Sequence, residues 1–235
     1  MRMRKKKNGA KRLEACADVR VADPVSMKGK WRTLAKDRLL AAEIGCGKGN
    51  FVLGMAEKHP ERYFVAFEKV PDVIVTAMEK VKAAGIQNVI FVLDDAERLT
   101  DIFAPGELEE IYLNFSDPWP KKKHAKRRLT YRAFLERYKL ILKDGGKICF
   151  KTDNRPLFDF SLEEFEAAGI PLSDVTYDLH HSPYEADNVH TEYEDTFSAK
   201  GFPINRLVGT VDGSLAVRHD EKKAADEAAA GEERD

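Results

Sequence analysis

Residues 39–50 read Leu39-Leu40-Ala41-Ala42-Glu43-Ile44-Gly45-Cys46-Gly47-Lys48-Gly49-Asn50. A short apolar run ends in an acid and three alternating glycines, and helical patterning follows from Asn50 to His59. The order predicts a strand over 39–44, a tight glycine turn and then a helix. Glycines at such a turn let the backbone approach a ligand closely and accept positive φ. Their GxGxG spacing is not the GxGxxG of dinucleotide sites, and no Gly-Lys-Ser/Thr is present to make a phosphate loop. A nicotinamide-linked dehydrogenase is therefore the weakest reading of this turn.

Outward from this turn, strands and helices alternate. Residues 63–67, 89–93 and 111–115 read as strands. Pro71 stands at a first-turn position, with Ile74, Ala77, Met78 and Val81 recurring at helical spacing behind it. Tyr131, Phe134, Leu135, Tyr138, Ile141 and Leu142 mark an amphipathic helix that Asp144-Gly145-Gly146 ends, and residues 147–152 form the next strand. Short links between alternating elements imply an α/β fold with a parallel sheet wound on both faces. After Pro171 the pattern changes: 175–179 and 197–207 look like two late strands without a helix between them, which predicts an antiparallel edge.

The composition, 43% hydrophobic and 34% charged over 235 residues, is that of an ordinary soluble domain. Cys16, Cys46 and Cys149 are odd in number and widely spaced, so they offer no disulfide framework and fit a reducing cytoplasm. No apolar run approaches the roughly 20 residues that cross a bilayer, and the basic start lacks the apolar segment of a signal peptide. A cytoplasmic protein without membrane contact is expected. Charge is segregated along the chain: residues 1–12 and 120–132 each carry seven Lys/Arg and no acid, whereas 212–235 hold eight acids against four bases. The expected organisation is a basic amino-terminal arm over 1–30, a single domain over 31–211 and an acidic tail over 212–235, too poor in large apolar side chains to pack.

Acids fall at the ends of four successive strands: Glu43, Glu68, Asp95 and Asp117. Ligands of open α/β sheets bind at those carboxyl ends. S-adenosylmethionine, with an adenosine, an α-amino group and a sulfonium but no phosphates, suits such a ring of carboxylates. Asp117 lies in Asn114-Phe115-Ser116-Asp117-Pro118-Trp119-Pro120, a segment that its prolines stiffen. Six Lys/Arg follow within the next eight residues, which points to a target carried on a polyanion. Trp119 is equally suited to stack on a base and to plug a packing gap. His180, His181 and His190 have no metal-ligand spacing with neighbouring cysteines and read as structural or surface residues, so no metal is expected.

Asp117-Pro118-Trp119 resembles the Asn/Asp-Pro-Pro-aromatic motif of amino-methyltransferases, with Trp-Pro in place of Pro-aromatic. Taken together, EIGCGKGNF (43–51), FEK (67–69), DDA (94–96), NFSDPWPKKKHAKRR (114–128), GGKICFKTDN (145–154) and TEYE (191–194) resemble the bacterial tRNA (guanine-N7)-methyltransferase family, from about Arg2 to about residue 210. The resemblance implies a class I methyltransferase-like, doubly wound, mostly parallel seven-stranded sheet with an antiparallel edge strand. It implies methyl transfer from S-adenosyl-L-methionine to N7 of a guanine in the variable loop of tRNA. On that model Glu43, Gly45, Gly47, Gly49, Glu68, Asp95, Ala96 and Asp117 line the cofactor, with Glu68 on the ribose hydroxyls and Asp95 and Ala96 beside the adenine. Asp117 takes the catalytic position. Lys121, Asp153, Thr191, Glu192, Tyr193 and Glu194 contact the substrate, and Lys123, His124, Lys126, Arg127 and Arg128 contact RNA. No obligate protein partner is implied, and a homo-oligomer is left open. Two rival readings stay open: an exocyclic-amine methyltransferase on another nucleic acid, and an RNA-binding module without chemistry.

Overall fold

The computed structural model describes residues 8–212; the acidic tail after 212 and the first seven residues of the basic arm lie outside the described residues. Seven strands form one sheet: β1 (Leu39–Ile44), β2 (Arg62–Phe67), β3 (Val89–Val92), β4 (Leu108–Asn114), β5 (Leu142–Thr152), β6 (Leu172–Thr176) and β7 (Asn205–Thr210). Their order is β3-β2-β1-β4-β5-β7-β6. The first five run parallel to one another, and β7 enters antiparallel between β5 and β6. The central strands β1, β2 and β4 are buried almost along their whole length, as parallel strands covered on both faces must be.

The helices that cover the sheet follow from local sequence. In α1 (Gly9–Glu14), α2 (Arg32–Ala35) and α3 (Asn50–Lys58) the runs are short. In α4 (Pro71–Ala83), Pro71 occupies the first turn, where its missing N–H costs nothing, and Ile74, Ala77, Met78 and Val81 are fully buried. The short α5 (Leu99–Ile102) precedes β4, and α6 (Arg132–Ile141) buries Phe134, Leu135, Tyr138 and Ile141. At the start of α7 (Arg155–Ala167), the Asn154 side chain accepts from Leu157 N at 2.9 Å.

The late part of the chain differs from the sequence expectation of strands over 175–179 and 197–207 with no helix between them: the first is β6, Leu172–Thr176, and a helix does intervene. The strand foreseen over 197–207 is confined to β7, and α8 (Glu192–Ser198) takes up the preceding residues. Thr191 and Glu194 cap each other's backbone at the start of α8, and this capping box outweighs the β-propensity of the residues behind it. The described part of the segment before β1 is seated on the body. Arg12 donates to both carboxylate oxygens of Glu79 on α4 at 2.7 and 2.5 Å, Cys16 is buried, and Val21 N reaches Phe91 O at 3.0 Å on the outer edge. Trp31 is fully buried, its indole N–H donating to Ile102 O at 2.9 Å. No helix among the described residues is long and apolar enough to cross a membrane.

Candidate active site

The carboxyl ends of β1, β2, β3 and β4 open onto two clefts that share Gly45, Asn114, Phe115 and Asp117. The first, about 520 Å³, runs from the glycine turn past Glu68, Asp95 and Ala96 to Trp119 and Arg127. The second, about 690 Å³, is bounded by residues 43–51 on one side and by Thr191, Glu192, Tyr193, Thr196 and Phe197 on the other. Asp117 sits at the junction and is exposed.

The glycine turn divides its labour. Gly45 and Gly47 have φ of 83° and 56°, and a Cβ on either would meet nothing within 4 Å. Their faces are open for a ligand. Gly49, at φ 82°, packs instead on α4: a Cβ there would lie 2.6 Å from the Ala77 Cβ. The third glycine thus sets the distance between α3 and α4. Glu68 accepts from Gly47 N at 3.2 Å and Val70 N at 2.9 Å, which holds the turn to the start of α4. Asp95 caps the following turn by accepting from Glu97 N at 3.1 Å.

Glu43, one residue before the end of β1, is almost inaccessible. One carboxylate oxygen accepts from Asn114 Nδ2 at 3.0 Å, and the other is buried without a partner. Burial pushes its pKa up to about 7, against the opposing pull of Asn114 and Lys151. An orphaned carboxylate oxygen beside an open glycine turn suits a cationic donor such as an α-amino group.

The segment around Asp117 is held under strain. Phe115 and Trp119 have φ of 50° and 41°, the left-handed region that costs a bulky side chain energy. Phe115 N donates to Lys151 O at 3.0 Å. Arg128 clamps the other end, donating from Nε to Pro118 O at 3.0 Å and from Nη2 to Trp119 O at 3.1 Å, while its guanidinium lies over Phe160. Arg128, expected on RNA, is therefore engaged with the loop it follows. Arg127 stacks on the Trp119 ring at 4.9 Å and lines the first cleft, with His124 edge-on to the same indole. Lys121, Lys123 and Lys126 form the exposed lip beside them.

The TEYE residues separate in space. Tyr193 faces the second cleft and donates to Asp153 Oδ2 at 3.3 Å. Glu192 bridges Lys80 at 2.5 Å and Lys48 at 3.1 Å, tying α8 to α4 and the glycine turn; these lysines hold its pKa below the usual carboxylate value. Glu194 points away from both clefts. It is fully buried, accepting from Lys151 Nζ at 2.5 Å and Asn188 Nδ2 at 2.8 Å, with His180 Nε2 at 3.0 Å. His180, His190 and Glu194 bring possible ligand atoms within 4.8 Å of one another. Both His190 ring nitrogens face carboxylates, Asp195 at 2.7 Å and Glu185 at 2.8 Å, and the Lys151 ammonium already neutralises Glu194.

Lys151, Asn114 and Phe115 lie within quoted motifs but carry no role of their own in the sequence reading. A lysine following the apolar run Ile148-Cys149-Phe150, immediately before Thr152-Asp153, is the available signal for the first of them.

A family model described as "Putative methyltransferase" matches residues 37–207. The tRNA (guanine-N(7)-)-methyltransferase of Bacillus subtilis is 49% identical over 88% of this chain and 97% of its own length. The chain belongs to the tRNA (guanine-N7)-methyltransferase family. The Listeria monocytogenes member is 46% identical over 90% of this chain and 99% of its own. Among solved structures, the 16S rRNA methyltransferase KamB matches with a TM-score of 0.58 at 18% identity, over 78% of this chain and 93% of that one. A mutant 16S rRNA (adenine(1408)-N(1))-methyltransferase from Catenulisporales acidiphilia, solved with cosubstrate SAM, matches with a TM-score of 0.53 at 16% identity, over 81% of this chain and 92% of that one. At those identities the likeness speaks for the fold alone, the methyltransferase α/β sheet expected from the sequence.

Proposed function

We infer that this protein transfers a methyl group from S-adenosylmethionine to N7 of a guanine in tRNA, at the variable loop, in a reducing cytoplasm. The observation that carries the reading is the junction at Asp117, where a cleft suited to an adenosine cofactor, with a basic lip at its Trp119–Arg127 end, meets a second cleft, in a chain 49% identical to a tRNA (guanine-N(7)-)-methyltransferase.

The residues fit the cofactor. Gly45 and Gly47 leave backbone space for it, the unpartnered Glu43 oxygen suits its α-amino group, Glu68 its ribose hydroxyls, and Asp95 with Ala96 its adenine. Bound there, S-adenosylmethionine supplies an electrophilic methyl on a sulfonium. The chain's own task is orientation. Guanine N7 carries a lone pair and no proton at neutral pH, so no general base is required. Holding donor and acceptor in line supplies much of the rate. Asp117, on its clamped loop, stands where the two ligands meet, and its carboxylate stabilises the positive charge that N7 alkylation leaves on the purine. Tyr193, hydrogen-bonded to Asp153, faces the guanine from the opposite wall. Lys121, Lys123 and Lys126 draw in the phosphate backbone.

The test is transfer of labelled methyl to unmodified tRNA followed by nucleoside analysis. Label in N7-methylguanosine is the expected result. Label in an exocyclic-amine nucleoside would move the assignment to the amino-methyltransferases. Binding of tRNA without transfer would leave an RNA-binding module.

A further inference from the structure

Four aromatic rings form a ladder that begins at the Asp117 junction and climbs out over α8. The Phe115 ring lies 5.1 Å from Tyr193, Tyr193 stacks on Phe197 at 4.1 Å and 16°, and Phe197 lies 5.9 Å from Phe202. Two of its rungs stay open to solvent, Tyr193 at 43% and Phe202 at 50% exposure. Phe202 is set by the turn that ends α8: Gly201, at φ 80°, lets Phe202 N reach Phe197 O at 3.2 Å. A helix-ending turn of this kind commonly brings two apolar side chains together, which accounts for the Phe197–Phe202 contact. It does not account for a half-exposed phenyl ring beside Phe197, which lines the second cleft. Nor does it explain why Phe115 keeps a left-handed φ of 50° at the lower end of the same ladder.

The ligand chemistry that matches is an unstacked nucleobase with its phosphate. Planar apolar faces receive any base, and Lys200, whose ammonium lies 4.8 Å from the Phe197 ring centroid, stands within reach of a phosphate. An enzyme that works on a base within folded RNA must take it out of its stack, at a cost of a few kcal/mol. A second stacking surface beside the reaction point offsets part of that cost.

We propose that Phe202, with Tyr193 and Phe197 beneath it, binds a second nucleotide, the base adjacent to the guanine that enters the Asp117 junction. The ladder thereby holds the loop open around the target. The proposal rests on the RNA-methylating reading of the site.

The experiment compares the wild-type chain with Phe202→Ala, Phe202→Leu and Phe202→Trp. It measures kcat and KM on an unmodified tRNA transcript, cofactor affinity and thermal stability. A transcript with 2-aminopurine beside the methylated guanine reports stacking directly. Leucine keeps the apolar helix-end contact but has no π face. Ala and Leu should each raise KM for tRNA about tenfold, with cofactor affinity unchanged, and Trp should restore it. The 2-aminopurine signal on binding should be lost in Ala and Leu and return in Trp. A Phe202→Leu variant with wild-type KM and 2-aminopurine response would overturn the proposal and leave Phe202 as a helix-end contact. Failure of the wild type to methylate any tRNA would instead overturn the reading of the site and, with it, this subsite.

Discussion

Lys151 and Glu194 form a buried ion pair. The ammonium lies 2.5 Å from the carboxylate, and the two side chains are 6% and 0% exposed. Lys151 comes from the end of β5 and Glu194 from the first turn of α8, so the pair fastens the helix that carries Tyr193 to the strand that ends just before Asp153. Lys151 also donates to Asn188 Oδ1 at 3.0 Å and Val189 O at 2.7 Å. A charged pair this deep stabilises little by itself, because desolvation offsets most of the attraction, but breaking it is costly.

Lys151→Met should therefore destabilise the protein by about 3–5 kcal/mol, since Glu194 is left charged and buried. Lys151→Met combined with Glu194→Leu should cost clearly less than the sum of the single changes. Urea unfolding of the three variants checks this. Burial pushes the Glu194 carboxyl up, but Lys151, Asn188 and His180 hold it below the usual value. A depressed folded pKa means that its stabilisation is present above the unfolded value and is lost as pH falls through the folded one. Acid unfolding should thus begin at a higher pH once Lys151 is removed.

Glu43 behaves in the opposite sense. Its folded pKa of about 7 exceeds the unfolded value, so the folded state holds an extra proton between about pH 4.5 and 7. The associated stability is complete below the unfolded pKa and is lost as pH rises through about 7. Up to about 3 kcal/mol is involved. Glu43→Gln should flatten the fall in melting temperature of the cofactor-free protein between pH 5 and pH 8. An unchanged slope would show that the carboxylate is ionised throughout that range.

Arg128 and its lysine neighbours should separate kinetically. Arg128→Lys removes the two-pronged hold on Pro118 O and Trp119 O, and kcat should fall by about 10–100-fold, as a small misplacement of a reacting group permits. The salt dependence of tRNA binding should not change. Lys123→Ala or Lys126→Ala should instead raise KM and reduce the salt slope by about one each. An Arg128→Lys variant that altered only the salt slope would return this residue to the RNA backbone.

Gly49 and Gly47 make a matched pair. Gly49→Ala forces a Cβ against Ala77 at a positive φ, and about 2 kcal/mol or more of stability should be lost. Gly47→Ala meets no protein atom. Its smaller backbone cost, about 1–2 kcal/mol, should be accompanied by weaker cofactor binding, measured by calorimetry on the folded variant.

Asp117 is exposed and belongs to no core contact. Asp117→Ala should abolish turnover and leave unfolding within about 0.5 kcal/mol of wild type. A wild-type kcat in this variant would remove Asp117 from the chemistry.

Much of this molecule was decided along the chain. The run from Leu39 through Gly49, the helical spacing behind Pro71 and the acids after successive strands required neighbours no more than a few residues apart. They gave the parallel core and the line of candidate ligands. The ladder around α8 was out of reach, because a capping box between Thr191 and Glu194 competes with β-propensity over 197–207 and the winner depends on whether Lys151 waits beneath Glu194. The same holds for individual roles. Gly45, Gly47 and Gly49 look alike in sequence, yet Ala77, far along the chain, makes the third a packing residue. Arg127 and Arg128 are adjacent cations, yet one lies on Trp119 and the other grips the backbone before it. Local patterning determines which elements form. Which polar side chains face a cleft and which are used up holding it is settled by long-range burial, where each charge must find a partner brought from another part of the sequence.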